Sequence, residues 1–162
     1  MGFWSRIKRI FSTNVNAALD AVEDKEAALD QLVKDMAGEH RKTKGMLAEL
    51  IVHQKKLERD AAKHRQNAEN YHRKAKAILS DDDESNDYLA REALARKKDE
   101  EKVSAQYGAA AKQQGDHIAK LKHNITSMER KISTAKRKKQ ILMAKKKTAE
   151  TQMKIAASTS HT

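Results

Sequence analysis

Phe3, Trp4, Ile7, Ile10 and Phe11 are the residues of this 162-residue chain whose type and spacing point most directly to a chemistry. That chemistry is the one of a lipid–water boundary. At helical spacing Phe3, Ile7, Ile10, Phe11, Val15, Ala18 and Val22 form one stripe, with Trp4 at its edge. Arg6, Lys8 and Arg9, with Ser5, Ser12, Thr13 and Asn16, take the other side, and no acidic residue precedes Asp20. Every Phe and Trp of the protein lies in this stretch. A short helix with bulky apolar side chains on one face and only positive charge on the other suits a surface of anionic head groups. Fully desolvating each large apolar side chain yields about 1.5–3 kcal/mol, and less at an interface. Each basic residue near an anionic surface adds about 1 kcal/mol. Both contributions are needed to offset the ordering of about twenty residues. Residues 1–22 are therefore predicted to form an amphipathic membrane-binding helix, with Phe3, Trp4, Arg6, Ile7, Lys8, Arg9, Ile10 and Phe11 as its contacts. Packing of the same stripe back onto the rest of the chain is the plainer alternative, and a mitochondrial-type presequence is a further rival.

Other chemistries find less support. Of seven His, His64 and His72 lie two helical turns apart, but neither has a Cys or a tight carboxylate partner at metal spacing. The chain has no Cys, so it offers no disulfide, thiolate site or cysteine nucleophile. Gly38, Gly45, Gly108 and Gly115 stand alone within helical sequence and form no phosphate-binding loop. No catalytic constellation, metal site or cofactor site is expected, and the protein is read as a non-enzyme. A basic stretch, Arg130–Lys131, Lys136–Lys139 and Lys145–Lys147, offers charge for phosphates, lipid head groups or an acidic region of another copy. No aromatic residue interleaves it, so base stacking is unsupported and nucleic acid is not the expected partner.

The elements that carry these residues follow from composition. Charged residues make up 35 % of the chain, hydrophobic ones 38 % and aromatic ones 4 %, which is too lean for a compact globular core. There is no Pro and there are only five Gly, so little interrupts a helix. The fold class is all-α: an amphipathic N-terminal helix followed by a long antiparallel helical hairpin of coiled-coil type. No run approaches the roughly 18 apolar residues of a spanning helix. Arg6, Lys8 and Arg9 break the apolar continuity that a secretory signal needs, and Arg6 stands where a myristoylation signal has Ser or Thr. The net charge of +11 divides into +5 over residues 1–80, −4 over 81–111 and +10 over 112–162. Basic ends thus flank an acidic middle.

Asp24 is the expected N-cap of the first hairpin helix, with Glu26 in its first turn. From there positions 29, 36, 43, 50, 57, 64, 71 and 78 read Leu, Met, Thr, Leu, Leu, His, Tyr and Ile. Positions 33, 40, 47, 54, 61, 68 and 75 read Val, His, Leu, Gln, Ala, Ala and Ala. This is a heptad seam with polar interruptions. About 55 residues of helix span about 80 Å. The first helix is placed at about 25–79, a polar turn at 80–87, the second helix at about 88–156 and a frayed tail at 157–162. Ser85 or Asn86 is the expected cap of the second helix. Two half-apolar seams need each other for burial, which favours a hairpin over one uninterrupted helix. The second helix is weak from Lys97 to Glu101, where only charge appears, and sharpens at Ile118, Leu121, Ile125, Met128, Ile132 and Ala135. Leu50, Leu57, Tyr71, Ile118, Leu121, Ile125, Met128 and Ile132 are the predicted hairpin and assembly seam.

Gly2-Phe-Trp-Ser-Arg-Ile-Lys-Arg-Ile-Phe11, continued by Ser12-Thr-Asn-Val-Asn-Ala-Ala-Leu-Asp-Ala-Val-Glu-Asp24, resembles the opening of the phage shock protein A family. That family includes the vesicle-inducing protein of plastids and belongs to the ESCRT-III superfamily. Tyr88-Leu-Ala-Arg-Glu-Ala-Leu-Ala-Arg-Lys97 is similar to the start of its second helix, and Lys138-Lys-Gln-Ile-Leu-Met-Ala-Lys145 to the end of its third. The resemblance implies homo-polymers, as rods, rings or filaments, that bind, curve and protect bacterial inner or plastid membranes under stress. It implies a cytoplasmic protein, peripheral on the inner face of a bacterial plasma membrane, with anionic lipids as partners. It carries a membrane role to Phe3, Trp4, Arg6, Ile7, Lys8, Ile10 and Phe11. Lys25 stands where the family usually has Pro, which implies a less sharp hinge. The chain stops after the hairpin, which implies a short or truncated member. A soluble coiled-coil regulator of a stress transcription factor and a basic rod that coats nucleic acid are the competing expectations.

Overall fold

The computed structural model describes residues 25–160. Helix α1 runs Lys25–Leu79, 55 residues, and helix α2 runs Asp87–Thr159, 73 residues. Ala, Leu, Lys, Glu and Gln supply intrinsic preference along both, and each isolated Gly weakens a helix by only about 1 kcal/mol against Ala. Among the described residues there is no strand, so the all-α expectation holds. The expected capping residue Asp24 lies outside the described residues, while Glu26 does sit in the first turn of α1. Helix α2 continues past residue 156, where fraying was expected, to Thr159. There the Thr159 hydroxyl donates to the carbonyl of Ile155 at 3.1 Å and the Ser160 amide to that of Ala156 at 3.1 Å.

The turn between the helices satisfies its own backbone. The Ser80 amide donates to the Lys76 carbonyl and the Asp81 amide to that of Ile78, which closes the end of α1. A single 3-10 turn, Glu84–Asn86, then leads into α2. Its cap is Asp83, whose carboxylate accepts from the Ser85 amide at 3.0 Å and the Ser85 hydroxyl at 2.7 Å. This cap belongs to the 3-10 turn, and Asn86, one of the two expected caps of the second helix, directly precedes α2. Ser85 itself donates to Asp83 where it was expected to accept.

The hairpin comprises two compact units. In one, residues 43–124, contacts pair Gln54 with Ala111, Ala61 with Ser104, His64 with Glu100 and His72 with Lys97. Rising numbers on α1 meet falling numbers on α2, so the helices are antiparallel. The interior is built mainly of alanine: Ala61, Ala68 and Ala75 face inward on α1, and Ala90, Ala93, Ala111 and Ile118 on α2. Their recurrence every seven residues is that of a coiled-coil seam, and small side chains let helix axes approach closely. In the other unit, residues 25–42 of α1 meet residues 125–146 of α2. Leu29, Met36, Ile125, Met128 and Ala135 are buried there, and Met36 and Ala135 join Leu32, Val33 and Ile132 in one cluster.

Candidate functional site

The predicted seam residues fall on the buried face of their helices. Ile118, Ile125 and Met128 are each about 6 % exposed, and Leu50, Leu57, Tyr71, Leu121 and Ile132 are half-buried. The predicted lipid contacts Phe3, Trp4, Arg6, Ile7, Lys8, Arg9, Ile10 and Phe11 lie outside the described residues. Among the described residues no helix is long and apolar enough to cross a membrane, and no group of His, Asp and Glu could hold a metal ion.

The weak stretch from Lys97 to Glu101 proves to be spanned by polar pairing across the seam. His64 donates from Nδ1 to Oε2 of Glu100 at 2.5 Å, and Asn67 donates to the same oxygen at 3.5 Å. The His64 ring stacks on Tyr107, with centroids 5.5 Å apart and planes 9° from parallel. Sequence spacing gave His64 no carboxylate partner, because Glu100 comes from the opposite helix, 36 residues away. The hydrogen bond from His64 holds the Glu100 carboxyl below its usual range, with Asn67 assisting against the partial loss of solvent. One turn along, Lys97 Nζ lies 3.1 Å from Nδ1 of His72 and bridges to Glu101 at 3.8 Å. Ser104, the one buried polar residue among those described, donates to the carbonyl of Ala61 at 2.8 Å. Gln54 donates to the carbonyl of Ala111 at 3.3 Å, and a Cβ at Gly115 would stand 2.9 Å from the Gln54 amide nitrogen. This glycine therefore makes room for a polar layer. No buried side-chain nitrogen or oxygen among the described residues lacks a partner. Such satisfied polar layers fix register in an otherwise uniform alanine seam.

In the unit of residues 25–42 and 125–160, pairing across the helices is ionic. Lys139 donates to Asp30 at 2.5 Å, and Lys34 bridges to the other oxygen of Asp30 at 3.1 Å. Hydrogen bonds from Lys139 and then Lys34 hold the Asp30 carboxyl below its ordinary value. Lys146 bridges to Glu26 at 3.3 Å, and His40 meets Glu129 at 3.0 Å. The basic stretch at 130–147 is thus not simply a solvated face, since Lys139 and Lys146 tie α2 to α1. What the described surface offers is length, charge and exposed apolar residues. Leu79, Tyr88 and Leu89 stand out beside the acidic turn, and Ile141, Met143, Met153 and Ile155 stand out among lysines.

Residues 2–162 match the family described as PspA/IM30. The membrane-associated protein Vipp1 of Nostoc punctiforme is 34 % identical over 155 residues, covering 96 % of this chain and 59 % of that protein. The protein of the same name from Synechocystis is 35 % identical over 150 residues, covering 93 % of this chain and 55 % of its own. A phage shock protein A homolog of Deinococcus radiodurans is 29 % identical over 150 residues, covering 93 % and 66 %. The chain spans little more than half the length of the two Vipp1 relatives. With the family match running through nearly every residue and the long α-helical hairpin beneath it, this chain belongs to the PspA/IM30 family.

Proposed function

We propose that this protein is a peripheral membrane scaffold without enzymatic activity, working as a homo-oligomer that remodels or protects membranes. The observation that carries this reading is the opening stretch. At helical spacing Phe3, Trp4, Ile7, Ile10 and Phe11, which include all the Phe and Trp of the chain, fall on one side and Arg6, Lys8 and Arg9 on the other. Two relatives bear the name membrane-associated protein, which supports the same reading. The opening helix inserts shallowly among anionic head groups, hairpins stack side by side, and the ordered array imposes or stabilises curvature. The hairpin supports the second step through its length and its exposed charge. The acidic region 81–101 of one copy meets the basic region 120–147 of another, so assembly weakens as salt screens it.

Co-sedimentation with vesicles of phosphatidylglycerol and phosphatidylethanolamine tests the reading, comparing the full chain with a chain lacking residues 1–22. The full chain is expected to pellet and the shortened chain to stay in solution. Equal pelleting would remove the opening helix as the anchor. If neither pellets and DNA retards both on a gel, a rod that coats nucleic acid takes its place. If neither pellets and neither meets DNA, a soluble coiled-coil regulator does. Assemblies unchanged by high salt would contradict the charge contribution.

A further inference from the structure

Near its C-terminal end α2 carries a continuation of the seam with no described residue across it. Leu142 is half-buried, but Ala149, Met153 and Ala156 are exposed, Met153 to 73 %. These positions keep the heptad spacing of the buried seam, so the face is continuous with the interface already formed between α1 and α2. The register of that interface is known from pairs within the same unit: Met36 clusters with Ala135, and Glu26 bridges to Lys146. Stepping seven residues at a time from Met36 and Ala135 brings Leu29 opposite Leu142, then Val22 opposite Ala149 and Val15 opposite Ala156. One such step from Glu26 and Lys146 brings Leu19 opposite Met153. Every position reached is apolar on both sides. The flanking charges complement one another too. Residues 14–24 carry Asp20, Glu23 and Asp24 and no Lys or Arg, whereas residues 141–156 carry Lys145, Lys146, Lys147 and Lys154 against Glu150.

We propose that residues 15–24 of the same chain continue the α1 side of the seam and dock on residues 149–156 of α2. The apolar stripe of the opening stretch then divides by task. Val15 and Val22, joined by Leu19 beside the stripe, pair with α2, and Phe3 to Phe11 meet the lipid surface. The inference rests on the register of the hairpin and stands independently of lipid binding. Lys25, a residue that continues a helix, permits the run from 15 into α1.

The natural chain has no Cys, so introduced pairs read cleanly. Two full-length variants place cysteines in register, Val22→Cys with Ala149→Cys and Leu19→Cys with Met153→Cys. A third, Val22→Cys with Ala156→Cys, is displaced by seven residues, about 10 Å along a helix, where a disulfide needs Cα atoms within about 7 Å. Under mild oxidation without lipid, both in-register pairs should close within one chain at least about tenfold faster than the displaced pair. Equal rates for all three, or disulfides that join two copies instead, would overturn the proposal. Amide hydrogen exchange supplies a readout free of cysteines: Leu19→Ser with Val22→Ser should speed exchange at 149–156 about tenfold and leave 118–135 unchanged. Unaltered exchange at 149–156 would equally overturn it.

Discussion

Replacing Ile118 and Ile155 by alanine removes the same atoms from the same helix, and the structure demands very different outcomes. Ile118 is 6 % exposed on the seam, whereas Ile155 is 60 % exposed. Each substitution deletes three carbons, worth about 2.4 kcal/mol at roughly 0.8 kcal/mol per buried carbon. At Ile118 nearly all of that transfer energy is lost and a void is left. A two-helix seam collapses more readily than a globular core, so the cost sits near the lower end of the usual range, about 2–3 kcal/mol. At Ile155 well under half of the transfer energy is at stake, and the better helix preference of Ala returns about 0.4 kcal/mol, leaving about 0.5 kcal/mol or less. Urea unfolding followed by far-ultraviolet circular dichroism, at a protein concentration where assembly is absent, measures both. Equal losses, or a larger one at Ile155, would refute the assignment of Ile118 to the seam and of Ile155 to the surface.

Other outcomes follow from the same geometry. Gly45→Ala and Gly108→Ala add a methyl group into open space, so each should stabilise its helix by about 0.5–1 kcal/mol in the same urea assay. Gly115→Ala should gain less, because Gln54 must move and its bond to Ala111 is disturbed; a gain equal to the other two would contradict the close approach there. Glu100 and Asp30 have carboxyls lowered in the folded state, so the stability they contribute is complete above their unfolded values and is lost as pH falls through the folded ones. The thermal midpoint should therefore drop between about pH 5 and pH 2, and Glu100→Gln should flatten that drop. A variant whose midpoint parallels the natural chain would show that the His64 pairing carries no stability.

Much of the hairpin was legible because its determinants are local and periodic. The lack of Pro and the wealth of Ala, Lys, Glu and Leu dictate helices, and Leu50, Leu57, Ile118 and Ile125 at heptad spacing mark the face each helix buries. Partners across the seam were not legible, since register between helices depends on pairs distant in sequence. Lys97 to Glu101 looked like a gap for this reason, yet Glu100 and Lys97 find His64 and His72 on the other helix. Gly115 likewise read as an isolated glycine until Gln54 was placed beside it. Asp83 was missed as a cap because a lone 3-10 turn has too few residues to leave a periodic signature. The proposed lipid contacts are a different case. Their pattern is plain in the sequence, while the partner proposed for them is a surface rather than another part of the chain.

Trp4 is the single tryptophan of the protein, so its fluorescence reports the opening stretch alone. Emission recorded while the unmodified chain is titrated with anionic vesicles, some carrying brominated acyl chains, tests membrane insertion most directly. Shallow insertion predicts a shift to shorter wavelength and strong quenching by bromines placed near the head groups, both much reduced with vesicles of neutral lipid. A chain that pellets with anionic vesicles while Trp4 emission stays unshifted and unquenched would contradict it.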